Sequence, residues 1–161
     1  MSTERATPTV TATDDVWKGG VVAGLAGSMV MAALISLMNP PTLAVAIPAL
    51  YGLAPPPNGV AGWTVHMSHG AIFGLVYAAV ARAGVLGDLR GSVARSAGVG
   101  LAYGVLLWVG AAAVLMPVWL SAVGFPNAPP LPNFAVPSLL WHAVFGLVLG
   151  GAFPRLCALL E

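Results

Sequence analysis

Three histidines, His66, His69 and His142, are the residues of this chain best suited to bind a ligand. Each lies in a long apolar stretch without a single Asp, Glu, Lys or Arg. An imidazole in such surroundings is costly unless it has a hydrogen-bond partner, a metal ion or a cofactor. The i, i+3 spacing of His66 and His69 places both on one face of a helix. The sequence therefore predicts a shared histidine site.

Glycines continue the helical stripes on which two of these histidines lie. His66 is followed by Gly70 and Gly74 at i+4 and i+8, and His142 by Gly146 and Gly150 in the same way. Small residues at this spacing let two helices approach closely in lipid. We predict eight glycines as helix-packing positions, with the histidines turned away from lipid: Gly20, Gly24, Gly70, Gly74, Gly100, Gly104, Gly146 and Gly150.

Several interpretations of the histidines stay open. They can be structural, donating hydrogen bonds to Ser68, to Ser138 or to loop carbonyls. Alternatively, His69 and His142 can be the axial ligands of a b-type haem, with the glycines making room for the ring. These two histidines are expected to share one interior space, although no Arg or Lys lies nearby to meet the haem propionates.

A metal site is the third interpretation of the same residues. His66, His69 and His142 together would suit Cu or Zn. Three methionines are expected at a similar depth and would favour Cu(I): Met38, Met67 and Met116. A quinone or lipid-headgroup site is a further alternative.

Enzymatic chemistry finds few residues to work with. The apolar stretches contain no carboxylate, which argues against acid–base catalysis by paired carboxylates and against proton relays through Asp or Glu. There is no P-loop and no nucleophile-elbow sequence. The single cysteine, Cys157, excludes an intrachain disulfide, and six basic residues form no nucleic-acid-binding stripe. We predict a non-enzymatic protein.

The charge pattern predicts the fold. All eleven charged residues lie within residues 1–18, 82–95 and 155–161, and the two intervals between these patches hold 63 and 59 residues. Each interval is long enough for two membrane helices of about 20 residues. The predicted fold is an all-α bundle of four transmembrane helices in a single domain, with spans at 16–38, 63–81, 96–116 and 137–156. Proline clusters separate the spans, and Pro117 is expected to end the third.

Orientation follows from the basic residues of short loops, which favour the cytoplasm. Five of them flank one side of the bundle, namely Lys18, Arg82, Arg90, Arg95 and Arg155. We therefore expect a multi-pass plasma-membrane protein with both termini and loop 82–95 in the cytoplasm and loops 39–62 and 117–136 outside. The tail, residues 1–15, is expected to be disordered. Residues 42–53 are apolar and are expected to lie as a shallow cap over the outer end of the bundle.

The two halves of the chain resemble each other. His69-Gly-Ala-Ile-Phe73-Gly74 matches His142-Ala-Val-Phe145-Gly146 with one residue less, and Pro57-Asn58 matches Pro132-Asn133. Since each half contains two helices, both halves have the same orientation. This pattern indicates a parallel repeat of two helical hairpins joined by Pro-rich outer loops.

Longer motifs resemble a known group of proteins. They are Val16-Trp-Lys-Gly-Gly-Val-Val-Ala-Gly, Ala46-Ile-Pro-Ala-Leu-Tyr-Gly52 and Gly62-Trp-Thr-Val-His66-Met-Ser-His69-Gly70-Ala-Ile-Phe-Gly74. The run is similar to small four-helix membrane proteins of halophilic archaea. These have no assigned function, and some carry an automatic "histidine kinase" label. The resemblance implies the same fold and no catalytic residues, and this chain has no ATP-binding segment to support the label.

Three functions are compatible with these observations. The first is an integral membrane protein with a histidine-lined site in the outer leaflet, either structural or binding haem b or a metal ion. The second is an accessory subunit that packs through its glycine faces against a larger respiratory or light-driven complex. The third is a small-solute channel or transporter, for which homo-oligomers are expected.

Overall fold

The computed structural model describes residues 16–160, so the predicted disordered tail, residues 1–15, lies outside the described residues. Four long helices form the structure: α1 (Val16–Met38), α3 (Gly59–Arg82), α4 (Val93–Ala122) and α5 (Val136–Leu160). Between α1 and α3 lie a π-helical segment, Thr42–Ala46, and the short helix α2, Ile47–Ala49. The described residues form helices and connecting loops without strands, which confirms the all-α class and the four long helices.

The surface of this bundle is apolar and parts of its interior are polar. Large apolar side chains such as Ile72 (57% exposed) and Leu106 (68% exposed) face outward, whereas Ser28 and Ser96 are buried. Soluble proteins keep their charged and polar side chains at the surface. All four long helices are long and apolar enough to cross a membrane, with mean hydropathy between 1.3 and 2.2. These features indicate a multi-pass membrane protein.

Glycines join α1 to α3. Gly20 faces the backbone carbonyl of Gly74, and Gly24 faces that of Gly70. A side chain at any of these four positions would overlap the facing backbone. The two helices therefore reach this distance only because both carry glycine at the crossing, which is how helices gain van der Waals contact in lipid.

Glycines join α4 to α5 in the same register. Gly100 faces the carbonyl of Gly146, Gly104 faces that of His142, and Gly150 faces that of Ser96. Each position lies 76 residues after its counterpart in the first pair: Gly20 and Ser96, Gly24 and Gly100, Gly70 and Gly146, and Gly74 and Gly150. We call the two sets of contacts the first and second glycine ladders.

The two helix pairs meet closely where α1 packs on α5. Gly19 lies against Cys157, and a Cβ atom at Gly27 would be only 2.9 Å from the carbonyl oxygen of Phe145. The Cys157 thiol is buried and lies 3.9 Å from the carbonyl oxygen of Val16. Glycines thus bring the backbones of this third interface together as well.

The opposite interface, between α3 and α4, is made by tyrosines. The Tyr77 hydroxyl donates to the carbonyl oxygen of Ser96 at 2.7 Å, and the Tyr103 hydroxyl donates to that of Phe73 at 3.0 Å. The two tyrosine rings lie 5.7 Å apart. Tyr103 lies 76 residues after Gly27, so a large ring takes the place of the glycine that closes the other interface. Hydroxyl-to-carbonyl bonds, rather than backbone contact, hold α3 to α4.

The third long helix does not end at Pro117, as the sequence predicts, but continues to Ala122. It contains a π-helical segment, Trp108–Leu115, which ends two residues before the proline. A proline has no N–H for the carbonyl four residues earlier, here that of Ala113. That oxygen instead accepts a hydrogen bond from the backbone N–H of Asn133 at 2.8 Å. The returning loop therefore supplies the donor that lets the helix pass through a proline.

The first half of the chain uses the same device. Pro48 lacks an N–H for Ala44, and the Ala44 carbonyl accepts from the backbone N–H of Asn58 at 2.7 Å. The side chain of Asn58 also accepts from the N–H of Ala61 at 3.0 Å and caps α3. The repeated Pro-Asn motif thus ties each loop to the helical segment before it. We call the end of the bundle with α2 and loop 123–135 the cap side.

The other end, the basic side, carries loop 83–92 and the basic residues. Leu89 in this loop is 1% exposed and packs into the core. Ser92 caps α4 by accepting from the N–H of Arg95 at 3.3 Å. The loop is therefore anchored by an apolar side chain between charged neighbours.

Candidate functional site

The three histidines line one cavity of about 330 Å³ in the cap-side half of the bundle, here called the histidine cavity. His66 and His69 reach it from α3, and His142 reaches it from α5. The cap residues Ile47, Leu50 and Tyr51 line it as well. Its remaining lining residues are Ser28, Met31, Ile35, Thr42, Gly70, Phe73, Leu107, Ala111, Ala112, Leu115, Met116, Trp119, Ser138, Trp141 and Phe145.

Each histidine has one ring nitrogen held by the protein. Nε2 of His66 lies 3.1 Å from the carbonyl oxygen of Ser28, in a buried contact with α1. Nδ1 of His142 lies 2.7 Å from the carbonyl oxygen of Ser138, and the Ser138 hydroxyl is farther away at 3.4 Å. Nε2 of His69 lies 2.7 Å from the hydroxyl of Tyr51. The three rings are therefore fixed in orientation by three different helices or segments.

The glycine ladders determine which histidines correspond. His142 lies four residues before Gly146, and His66 lies four residues before Gly70. The ladder register therefore pairs His142 with His66, as the two glycine stripes of the sequence already suggest. Counting from the Phe-Gly pair of the sequence instead matches His142 with His69. However, Phe145 of that pair packs on Gly27 of α1. The residue of α4 that corresponds to Gly27 is Tyr103, so this contact has no glycine counterpart in the other half.

Aromatic rings extend from the cap across the cavity. Tyr51 lies 5.3 Å from Trp119 and 5.9 Å from His69, measured between ring centroids. His69 lies 6.3 Å from Phe73, which meets Phe145 edge-on at 6.5 Å. Ring pairs at these distances stabilise packing beyond the area that they bury. They give the histidine cavity an aromatic wall.

Sequence reasoning missed Tyr51 and the π-helical segment as parts of this site. Tyr51 lies in the predicted cap, but nothing in its neighbourhood indicates that it reaches a histidine. The π-helical segment Trp108–Leu115 supplies Ala111, Ala112 and Leu115 to the cavity wall. Segments of this kind are frequent at functional sites, and a proline directly after an apolar run is the available signal here.

The described residues contain no group of three or more His, Cys, Asp or Glu side chains that could hold a metal ion. The structure therefore does not bring the three imidazoles into a metal-binding geometry. Of the three methionines considered with them, only Met116 lines the cavity. The sulfur of Met38 accepts from the Trp141 indole N–H at 3.2 Å, and that of Met67 lies 3.4 Å from the Ser28 hydroxyl. These two methionines have structural roles.

Comparisons with known proteins give no further guide. No family model, no curated protein and no solved structure matches this chain. The function has to be argued from the histidine cavity itself.

Proposed function

We propose that the chain is a non-enzymatic integral membrane protein that binds a small, uncharged and largely apolar molecule in the histidine cavity. The observation that carries this proposal is that three histidines from two helices line a single cavity of about 330 Å³. A cavity of this size, with apolar walls and a few convergent polar groups, is typical of small-molecule sites. The function is therefore binding, with the histidines giving the ligand its orientation.

The lining residues restrict the charge of the ligand. None of them is Asp, Glu, Lys or Arg. A charged molecule would lose its hydration without gaining a counter-charge, which is costly in apolar surroundings. The ligand should therefore be neutral and soluble in lipid.

Among the described residues, the one serine hydroxyl within hydrogen-bond distance of a histidine is that of Ser138, and its geometry argues against nucleophilic catalysis. Nδ1 of His142 donates to the Ser138 carbonyl at 2.7 Å, so this nitrogen holds a proton rather than a lone pair. It cannot take the proton of the Ser138 hydroxyl, which a catalytic dyad would require. The geometry supports a structural tie within the first turns of α5.

Haem b is less well supported than an uncharged apolar ligand. Nε2 of His69 is hydrogen-bonded to Tyr51, so axial ligation by His69 would have to use Nδ1 or break this contact. No basic residue lines the cavity to meet the propionates. The visible spectrum of the purified protein tests this directly, since a Soret band would replace our proposal with a haem site.

The accessory-subunit interpretation rests on glycine faces that would contact another protein. In the structure, all eight glycines face a neighbouring helix of the same chain. These positions are therefore not available to a partner. For the channel interpretation, no contact among the described residues provides specific support.

For orientation we propose that the cap side faces outward, because the basic residues gather at the other end and such residues stay in the cytoplasm. The test uses single cysteines at Asn127, in the cap-side loop, and at Val85, in the basic-side loop, in a Cys157→Ala background. A membrane-impermeant maleimide added to intact cells should label the first and not the second. The opposite pattern would reverse the proposed topology.

The binding proposal is tested by filling the cavity. Ala112 lines it and Val114, two residues later, is exposed on the same helix, so Ala112→Phe and Val114→Phe are matched variants. Both proteins and the wild type are purified in lipid nanodiscs, and their bound small molecules are extracted and identified by mass spectrometry. A neutral molecule present in about equimolar amount in wild type and Val114→Phe, but lost from Ala112→Phe, would support the proposal. Equal retention by both variants would contradict it.

A further inference from the structure

The hydrogen bonds of His66 and His142 determine which ring nitrogen carries the proton. Nε2 of His66 faces the Ser28 carbonyl at 3.1 Å, and Nδ1 of His142 faces the Ser138 carbonyl at 2.7 Å. A carbonyl oxygen only accepts hydrogen bonds, so each of these nitrogens donates. A neutral imidazole has a single N–H, and its other nitrogen is then an acceptor. The remaining nitrogens, Nδ1 of His66 and Nε2 of His142, are therefore both acceptors.

These two acceptor nitrogens are accessible and have no hydrogen-bond partner among residues 16–160. Within that range, every fully buried side-chain nitrogen or oxygen does have a partner. The two nitrogens must therefore retain accessible surface, and the open space that both rings border is the histidine cavity. An acceptor left unpaired in such a place is costly, and a ligand that pairs it gains affinity.

The neutral state of both rings follows from their surroundings. The lining of the cavity includes no carboxylate that could pair with an imidazolium. An unpaired charge in an apolar interior is strongly unfavourable. The acceptor role of Nδ1 of His66 and of Nε2 of His142 is therefore the state that the ligand meets.

We propose that the ligand carries hydroxyl donors on an apolar ring, as a phenol or a quinol does. This inference rests on the proposed function and specifies its ligand class. Two ring hydroxyl groups would pair the two histidine acceptors, while the ring packs against the aromatic wall, which includes Phe73, Trp119 and Phe145. A carbonyl compound such as the corresponding quinone offers only acceptors, which cannot form a hydrogen bond with the lone pairs of these two histidine nitrogens. The site should therefore prefer the hydroxyl form.

Binding of a diol and of its ether separates this inference from the proposed function. The probes are 4-hexylresorcinol and its dimethyl ether, which keeps the ring and chain but has no donor. Isothermal titration into protein-loaded nanodiscs, with empty nanodiscs as the blank, should give about tenfold tighter binding of the diol. Equal affinities would overturn the hydroxyl inference and leave the apolar binding site standing. Binding of neither probe would overturn the proposed function as well.

Two substitutions remove the acceptor nitrogen from its position and keep the structural hydrogen bonds, since the amide oxygen of Gln or Asn lies elsewhere than the ring nitrogen that it replaces. In His66→Gln the amide N–H₂ can replace the Nε2 donor to Ser28, and in His142→Asn it can replace the Nδ1 donor to Ser138. Each should lower the affinity for the diol roughly fivefold to tenfold and leave that for the ether unchanged. Ser68→Ala, on the exposed face of α3, is the matched control and should bind both probes like wild type. Unchanged diol binding by both histidine variants would contradict the assignment.

A third probe tests whether the site prefers a quinol or binds phenols in general. A 2-alkyl-1,4-hydroquinone, kept reduced under nitrogen, carries its two hydroxyls across the ring as a quinol does. Tighter binding of this compound than of 4-hexylresorcinol would identify a quinol site, and equal binding a general phenol site. Oxidation to the quinone should then weaken binding about tenfold, as expected for lost hydrogen bonds. Tighter binding of the quinone would overturn the proposal.

The protonation pattern can be measured without any ligand. In ¹⁵N-histidine-labelled protein, ¹⁵N shifts distinguish protonated from unprotonated ring nitrogens. His66 should be the Nε2–H form and His142 the Nδ1–H form, with assignment through His66→Gln and His142→Asn. If a variant fails to fold, the wild-type spectrum still tests the tautomers, and the comparison of diol and ether still tests the preference for hydroxyl donors. The opposite tautomer at either residue, or an imidazolium at neutral pH, would remove the basis of the inference.

Discussion

The two halves of the chain, residues 16–82 and 93–160, pair their own helices identically but face each other through different side chains. Both glycine ladders have the same register, with counterparts 76 residues apart. Between the halves, Gly27 lets α1 touch α5, whereas its counterpart Tyr103 reaches across to Phe73 of α3. The comparison shows how two helix pairs with the same internal register form a closed interface on one side and an interface of tyrosine hydrogen bonds on the other. The histidine cavity lies on the cap side of Tyr103, where residues of α3 and α4 face each other without glycine contact.

The largest expected effect is the loss of a glycine ladder. Gly74→Leu and Gly150→Leu, at corresponding positions, should each destabilise the protein by more than about 3 kcal/mol, because the new side chains overlap a facing backbone. Gly151→Leu is the matched control, since nothing lies within 4 Å of the Cβ position at Gly151. Stability is measured in detergent by the temperature at which buried Cys157 reacts with a thiol-specific dye. If Gly151→Leu were as damaging as Gly150→Leu, the ladder would not be the packing face.

The next effect concerns the interface that differs between the halves. Gly27→Tyr places at α1 the ring that α4 carries at Tyr103, and its Cβ alone would meet the Phe145 carbonyl at 2.9 Å. We expect a loss of about 2–3 kcal/mol, because this interface has no room for the ring. Gly98→Tyr is the control, because nothing lies within 4 Å of the Cβ position at this helical glycine. In this variant Cys157 should become reactive within a few degrees of the wild-type temperature. A tolerated Gly27→Tyr would mean that the closed interface can open like its counterpart.

A smaller loss is expected when the loop donor to α4 is removed. Asn133→Pro eliminates the N–H that binds the Ala113 carbonyl and should cost about 1–2 kcal/mol. Asn133→Ala keeps that N–H and should change the stability very little. Comparing the two variants therefore shows whether the backbone N–H or the asparagine side chain stabilises the helix. Both are compared by the same thiol-protection assay. Equal losses for the two variants would assign the effect to the asparagine side chain instead.

The smallest effect again separates the two halves. Asn58→Ala removes the side chain that caps α3, at a cost of about 1 kcal/mol. Asn133 makes no corresponding cap, because its side chain has no hydrogen bond in the described structure, and Asn133→Ala should cost less. Denaturant midpoints of these two alanine variants measure the difference. Identical midpoints would show that the Pro-Asn motif has the same role in both halves.

Much of the fold could be predicted from the sequence. Two intervals of 63 and 59 residues contain no charged residue, which predicts apolar membrane helices. The first helix has the predicted bounds, Val16–Met38. The prediction that the third helix ends at Pro117 was wrong, because a proline ends a helix only when no other donor binds the carbonyl oxygen four residues before it. Here Asn133 does so from a loop that returns in space. Such a partner is not visible from the residues around Pro117.

The sequence by itself determined the elements and the candidate residues, because helix length, lipid exposure and glycine spacing act locally along the chain. It named the three histidines, since an imidazole in an uncharged span needs a partner wherever it lies. Only the tertiary structure decided what those partners are. The Ser28 carbonyl lies 38 residues from His66 in the chain, and the Tyr51 hydroxyl comes from the cap. The cavity and the acceptor nitrogens depend on how four helices cross, which no local pattern records.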